Sequence, residues 1–209
     1  MPGNVRQDAL QARHEHVRGY VVLAVPEQLQ RPRDPVAARY WAERALENPV
    51  KESDRGGLQV FLGLLLAESD KPEERVRGLE ILERYAQPGY YQYGAKTALA
   101  KAIRKQDPVR ARKLLEEARS LLGGEVGVCL ELGRIYNIIH RPADAVKVLL
   151  QALEKNNDNY VILRDLGITY KAMGEKEKAL DSLRRSLELN PTQTQIKTLC
   201  TQLERQLGG

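Results

Sequence analysis

Tyr160 to Gln193 reads YVILRDLGITYKAMGEKEKALDSLRRSLELNPTQ, one complete helix-turn-helix unit that breaks at Gly174 and ends at Asn190-Pro191. Its landmarks are Leu163, Leu166, Gly167, Tyr170, Gly174, Ala179, Leu183, Ser186 and Pro191. Thirty-four residues earlier stand Cys129, Leu132, Gly133, Tyr136, His140, Ala145, Leu149, Ala152 and Asn157, so most of the pattern recurs at one fixed period. A period of this length marks a repeat architecture. Each landmark answers a physical need. Gly167 and Gly133 lack a Cβ and let the first helix of a pair approach the second closely. Tyr170 and Tyr136 lie three residues on, on roughly the same helix face, and fill the space beyond the glycine. Ala179 and Ala145 keep the second helix slim at the crossing, Gly174 ends the first helix as a C′ residue, and Pro191 stops the second.

These landmarks resemble the tetratricopeptide repeat, whose 34-residue unit is a pair of antiparallel helices. The resemblance implies an all-α fold, a right-handed α-solenoid of antiparallel helix pairs. Upstream, DPVAARYWAERAL (residues 34–46) returns without a gap as DPVRARKLLEEA (107–118), matching Ala38 to Ala111 and Ala45 to Ala118. Asp34 suits an N-cap and Pro35 the first helical position. AARYWAERAL also resembles the SEL-like repeat, a relative of slightly longer and more variable period. The small residues of successive second helices, Ala38, Gly78, Ala111, Ala145 and Ala179, are separated by 40, 33, 34 and 34 residues. The chain is irregular at its start and regular toward its end.

Four segments follow from this spacing: an N-terminal helical cap over 1–33, irregular SEL- and tetratricopeptide-like pairs over 34–91, three 34-residue units over 92–191, and a capping helix over 192–209. In the cap, Asn4 begins one helical piece and Gly19 to Gln30 forms another, with Pro26 near an end or kink. His14-Glu15-His16 looks like a metal motif, yet residues two apart point to different sides of a helix, and an exposed polar patch is the expected reading. After a loop at 48–54, a first helix over 55–68 carries Phe61, Leu62, Leu64, Leu65 and Leu66 and should be heavily buried. In the helix over 73–87, Val76, Leu79, Leu82 and Tyr85 are expected to face inward before Pro88-Gly89 ends it. Tyr90, Tyr91 and Tyr93 then read either as an aromatic platform for a ligand or as packing between adjacent units. The next first helix sets Ala95, Ala98, Leu99 and Ala102 in the large-residue slots, and Gly123-Gly124 breaks the chain before the two regular units. The last helix buries Ile196, Leu199, Cys200, Leu203 and Leu207 behind a polar outer face, which is how solenoids close an exposed end.

The 209 residues are 42% apolar, enough for a substantial core, and the net charge of +5 is mild for this size. The longest apolar run near the N-terminus, Tyr20 to Val25, is too short for a signal sequence or a membrane span, so a cytoplasmic location is expected. The two cysteines, Cys129 and Cys200, lie on apolar faces and read as buried small hydrophobes. No phosphate loop, metal-ligand spacing or paired nucleophile and base stands out, so no enzyme activity, cofactor or metal is expected.

In the resembled family the first helices line a concave groove. Carried over position by position, the resemblance puts Tyr93, Lys96, Ile103 and Arg104 there from one unit, Leu130, Arg134, Asn137 and Ile138 from the next, and Val161, Arg164, Ile168 and Lys171 from the last. Five are basic and none is acidic. Such a lining suits the carboxylates of an acidic protein segment or a chain terminus, with Asn137 bonding its backbone. The clamp by which relatives grip chaperone tails is not matched, because its residue pairs correspond here to Lys96 with Ala100, Leu130 with Arg134, and Arg164 with Ile168. The reading is therefore a non-catalytic scaffold or adaptor for a protein partner, with self-association left open. The alternative is single-stranded RNA along the same basic groove with tyrosines for stacking, against which the charge excess is small.

Overall fold

The computed structural model describes residues 35–49, 51–122 and 125–208. The expected cap over 1–33, with its helical pieces and the His14–His16 pair, lies outside them, as do Asp34 and Gly123-Gly124. Every regular element among the described residues is an α-helix. In chain order these are α1 (Pro35–Glu47), α2 (Glu52–Ala67), α3 (Pro72–Tyr85), α4 (Gln92–Ile103), α5 (Pro108–Leu122), α6 (Val126–Ile138), α7 (Pro142–Lys155), α8 (Tyr160–Ala172), α9 (Lys176–Leu189) and α10 (Thr194–Leu207). They belong to two compact units that divide between Ile103 and Arg104, with α1 to α4 in the first and α5 to α10 in the second. The division falls within the 34-residue frame that starts at Gln92, between its two helices. Inside each unit every helix packs on its chain neighbours, and alternate helices also touch, α2 on α4 and α6 on α8. This is the packing of an α-solenoid built from helix pairs.

Helix boundaries follow from local chemistry. The second helices α1, α3, α5 and α7 all begin with proline, whose missing N–H costs nothing in a first turn. Asp107 accepts a hydrogen bond from the Arg110 N–H at 2.9 Å, and Asn159 accepts from the N–H groups of Val161 and Ile162 at 3.0 and 3.3 Å. At the end of α8, Gly174 turns to φ +80° while its N–H donates to the Lys171 carbonyl and that of Glu175 to the Tyr170 carbonyl. The same pair of bonds closes α6, from His140 to Asn137 and from Arg141 to Tyr136, with His140 at φ +57°. A histidine thus occupies a left-handed position that glycine fills one repeat later.

The cores form where first and second helices cross. A Cβ on Gly167 would stand 2.5 Å from Leu183 Cγ and 3.1 Å from the Ala179 carbonyl oxygen, and one on Gly133 would stand 2.8 Å from Leu149. In the first unit the small residue moves to the second helix: a Cβ on Gly78 of α3 would collide with the α2 backbone at Ala67 and Gly63. Cys129, Leu149, Ala152, Ile162 and Leu166 make one cluster, and Ala179, Leu180, Leu183, Ile196, Cys200 and Leu203 the next, with Tyr170 packed against both. Each fully buried leucine contributes about 1.5–3 kcal/mol. Both cysteines are free and buried, and burial raises their thiol pKa values. Leu199 is half-buried, and Leu207, in the last turn of α10, is exposed rather than covered.

On α2 the buried line is Leu58, Leu62 and Leu66, at i, i+4 and i+8, while Phe61, Leu64 and Leu65 are half-buried on its flanks. On α3 the inward line is Gly78 and Leu82, continued by Ala86 just past its end, so Val76, about 200° around the helix from Gly78, is 56% exposed. On α4, Ala95, Ala98 and Leu99 are buried as expected, with Ala100 beside them, and Ala102 is half-buried. Tyr91 lies over Gly56 of α2, where any Cβ would strike its ring, and meets Tyr85 and Tyr90 edge-to-face at 5.7 and 5.0 Å. Packing, not a ligand platform, accounts for that tyrosine.

Between α1 and α3, Arg39 donates to Glu74 at 2.5 Å, and Ser69 and Lys71 reach the same carboxylate at 2.6 and 3.1 Å. Arg39 foremost, then Ser69 and Lys71, hold the Glu74 carboxyl down from 4.5 to about 2. A depressed carboxyl stabilises the fold fully above its unfolded pKa and loses that contribution as pH falls through its folded value. Acid titration of melting temperature between pH 4.5 and 2 should therefore fall less steeply for Glu74→Gln than for the wild type. Gly167→Leu should cost about 1–3 kcal/mol by overpacking the α8–α9 crossing. His140→Gly should raise stability by about 0.5–1 kcal/mol by relieving the left-handed backbone. Thermal or urea denaturation reads both.

Candidate functional site

Of the groove residues expected from the sequence, Tyr93, Lys96 and Ile103 lie on α4 in the first unit, where Tyr93 and Lys96 are half-buried and Ile103 is buried in the core. The other nine belong to the second unit. Arg104 precedes α5, Leu130, Arg134, Asn137 and Ile138 lie on α6, and Val161, Arg164, Ile168 and Lys171 lie on α8. Because α6 and α8 touch, equivalent positions of the two repeats come side by side. Leu130, Arg134, Asn137, Val161 and Arg164 are half-buried, Lys171 is exposed, and Ile138 and Ile168 are 40% and 42% exposed.

The arginines are not arrayed alone. Glu131 and Asp165, each only 7% exposed, occupy the same position of successive repeats and interleave with them. Arg104 Nη1 lies 3.3 Å from Glu131 Oε2, and Arg134 Nη1 donates to Glu131 Oε1 at 2.6 Å. Arg134 Nε donates to Asp165 Oδ2 at 2.8 Å, and Arg164 donates from Nε and Nη2 to Asp165 Oδ1 at 3.0 and 2.9 Å. The result is a ladder of alternating charge, Arg104–Glu131–Arg134–Asp165–Arg164, in which three guanidiniums face two carboxylates. Burial works against the Arg134 charge, but the fields of Asp165 and Glu131 outweigh it and raise its pKa above the ordinary guanidinium value. Buried ion pairs add little net stability, because desolvation offsets their attraction, yet they hold long side chains in one arrangement.

Next to the ladder runs a polar chain. Asn137 Nδ2 donates to Thr169 Oγ1 at 2.8 Å, and the fully buried Thr169 hydroxyl donates to the Asp165 carbonyl at 2.7 Å. Since the threonine proton is committed to that carbonyl, Asn137 must present its amide nitrogen to Thr169. Its Oδ1 is buried and accepts no hydrogen bond among the described residues.

Sequence reading missed Glu131 and Asp165. The signal was present: two acids 34 residues apart, each directly following a groove position, Leu130 and Arg164, with Arg134 three residues beyond the first. Clefts also lie elsewhere among the described residues. One of about 420 Å³ in the second unit is floored by Leu150, Leu153, Leu163, Leu166 and Tyr170, and one of about 680 Å³ in the first unit is bordered by Val36, Tyr40, Leu65 and Glu74. Among the described residues no three His, Cys, Asp or Glu side chains gather as a metal site, and no helix is long and apolar enough to cross a membrane.

A family model described as tetratricopeptide repeat matches residues 140–203. The anaphase-promoting complex subunit CDC16 of Saccharomyces cerevisiae (strain ATCC 204508 / S288c) is 29% identical over 104 residues, which cover 46% of this chain and 12% of that relative. The chain therefore spans only a small part of that protein's length. Among solved structures, TTC0263, a thermophilic tetratricopeptide repeat protein in Thermus thermophilus, matches with a TM-score of 0.69 at 22% identity, covering 89% of this chain and 97% of its own. MamA of AMB-1 matches with a TM-score of 0.57 at 22% identity, covering 74% and 83%. Identities this low speak to the fold alone.

Proposed function

We propose that this chain, a tetratricopeptide repeat protein, is a non-catalytic scaffold that holds an extended segment of a protein partner across α6 and α8. The observation that carries this reading is the α6–α8 surface, where the arginine ladder lies beside the exposed side chains of Ile138 and Ile168. An extended peptide supplies apolar side chains for the two isoleucines and, once the Asn137 side chain turns outward, a backbone N–H for its unpaired Oδ1. The ladder's single excess positive charge and the exposed Lys171 favour a segment with at least one carboxylate. Arg104, in the same unit and at the end of the ladder, is proposed as a further contact.

The test is affinity capture from the native host with and without nuclease, comparing wild type, Asn137→Ala and the Arg134→Glu/Arg164→Glu double variant. A protein partner should survive nuclease, weaken with Asn137→Ala, vanish with the double variant, and bind less tightly as salt rises. Recovery that depends on nucleic acid would replace this reading with the RNA alternative. A partner indifferent to both variants would move the site off α6 and α8.

A further inference from the structure

We infer that Asp165 is an internal competitor for the partner's carboxylates, so that the α6–α8 surface takes segments with few acidic residues and gains little from strongly acidic ones. This rests on the proposed binding surface and adds its selectivity. The geometry supplies the reason. A guanidinium grips a carboxylate best through two parallel N–H donors. On Arg164 the Nε and Nη2 donors both go to Asp165 Oδ1, so this two-donor edge is already engaged. On Arg134, Nε goes to Asp165 and Nη1 to Glu131. A carboxylate arriving from a partner meets only the remaining donors, end-on, and feels the negative charge of Asp165 behind them.

Asp165 holds this position by constraint rather than by chance. Its side chain is 9% exposed, it follows Arg164 directly on a rigid helix, and its own carbonyl is tied to the buried Thr169. An intramolecular carboxylate fixed within hydrogen-bonding distance has an effective concentration that a free ligand cannot match. Glu131 does the same one repeat earlier, toward Arg104 and Arg134.

The test is a fluorescence-anisotropy titration with two labelled peptides, hexaglutamate and a glycine-serine heptapeptide bearing one central glutamate. Asp165→Asn should tighten hexaglutamate binding roughly fivefold or more and steepen its salt dependence, because two guanidinium edges are released. The single-glutamate peptide should change less. Asp165→Glu should return hexaglutamate binding toward the wild-type value, and Glu188→Gln, an equal charge change at an exposed position on α9, should leave it unaltered. Thermal melts establish that each variant is folded; if Asp165→Asn is not, Glu131→Gln carries the same expectation. No gain, or a loss, in the neutralised variants while Arg134→Glu/Arg164→Glu abolishes binding would overturn the competition and leave the binding surface standing. Equal gains from Asp165→Asn and Glu188→Gln would overturn it as a mere effect of net charge. Binding of both peptides that ignores the arginine reversal would remove the surface itself and this inference with it.

Discussion

The second unit depends on one contact repeated at one interval: the glycine of a first helix lying directly against the leucine of the second. Gly133 meets Leu149 and Gly167 meets Leu183, each too close to admit another carbon without displacement. Side-chain volume, not polarity, sets this distance, and protein interiors are packed tightly enough that one methylene is felt. Because the two crossings recur 34 residues apart, α6 and α8 are equivalent helices of successive repeats, and they touch. Register between the helices is thereby decided before any charge is considered.

The charges then follow the register. Glu131 and Asp165 are equivalent residues of adjacent repeats: the contact of α6 with α8 sets Asp165 between Arg134 and Arg164, while Glu131 lies between Arg134 of its own helix and Arg104 in the turn before α5. Burying either carboxylate without a partner of opposite charge would be costly. The arginines in turn are locked by the acids they neutralise. What the surface offers a partner is therefore governed by local compensation rather than by the chain's formal charge of +5. Asn137 completes the arrangement, its amide nitrogen committed to Thr169 and its oxygen left over.

The two units differ in how openly their sequences speak. In the second, the landmark spacing identifies the helix ends, the crossing residues and even the odd position, His140, that stands where Gly174 stands later. In the first, the apolar residues of α2 are too many to single out a face, and only the helices packed against it select Leu58, Leu62 and Leu66. Val76 illustrates the same difficulty on α3, where a glycine line defines the inner face and a valine carries no signal of being outside it. Tyr91 reads two ways in the sequence, and only the packing of its ring over Gly56 separates them.

The sequence by itself determined the helical class, the 34-residue period, the tight crossings at Gly133 and Gly167, and the buried state of both cysteines. These are legible because helical periodicity, capping and side-chain size act within a turn or within one repeat. Only the tertiary structure decided that the arginines of the candidate surface are already paired, and with which acids. Arg134 and Asp165 are 31 residues apart in the chain, and their 2.8 Å contact exists because α6 and α8 pack side by side. A charge in a sequence announces its sign, but its partner depends on a distance that packing alone sets.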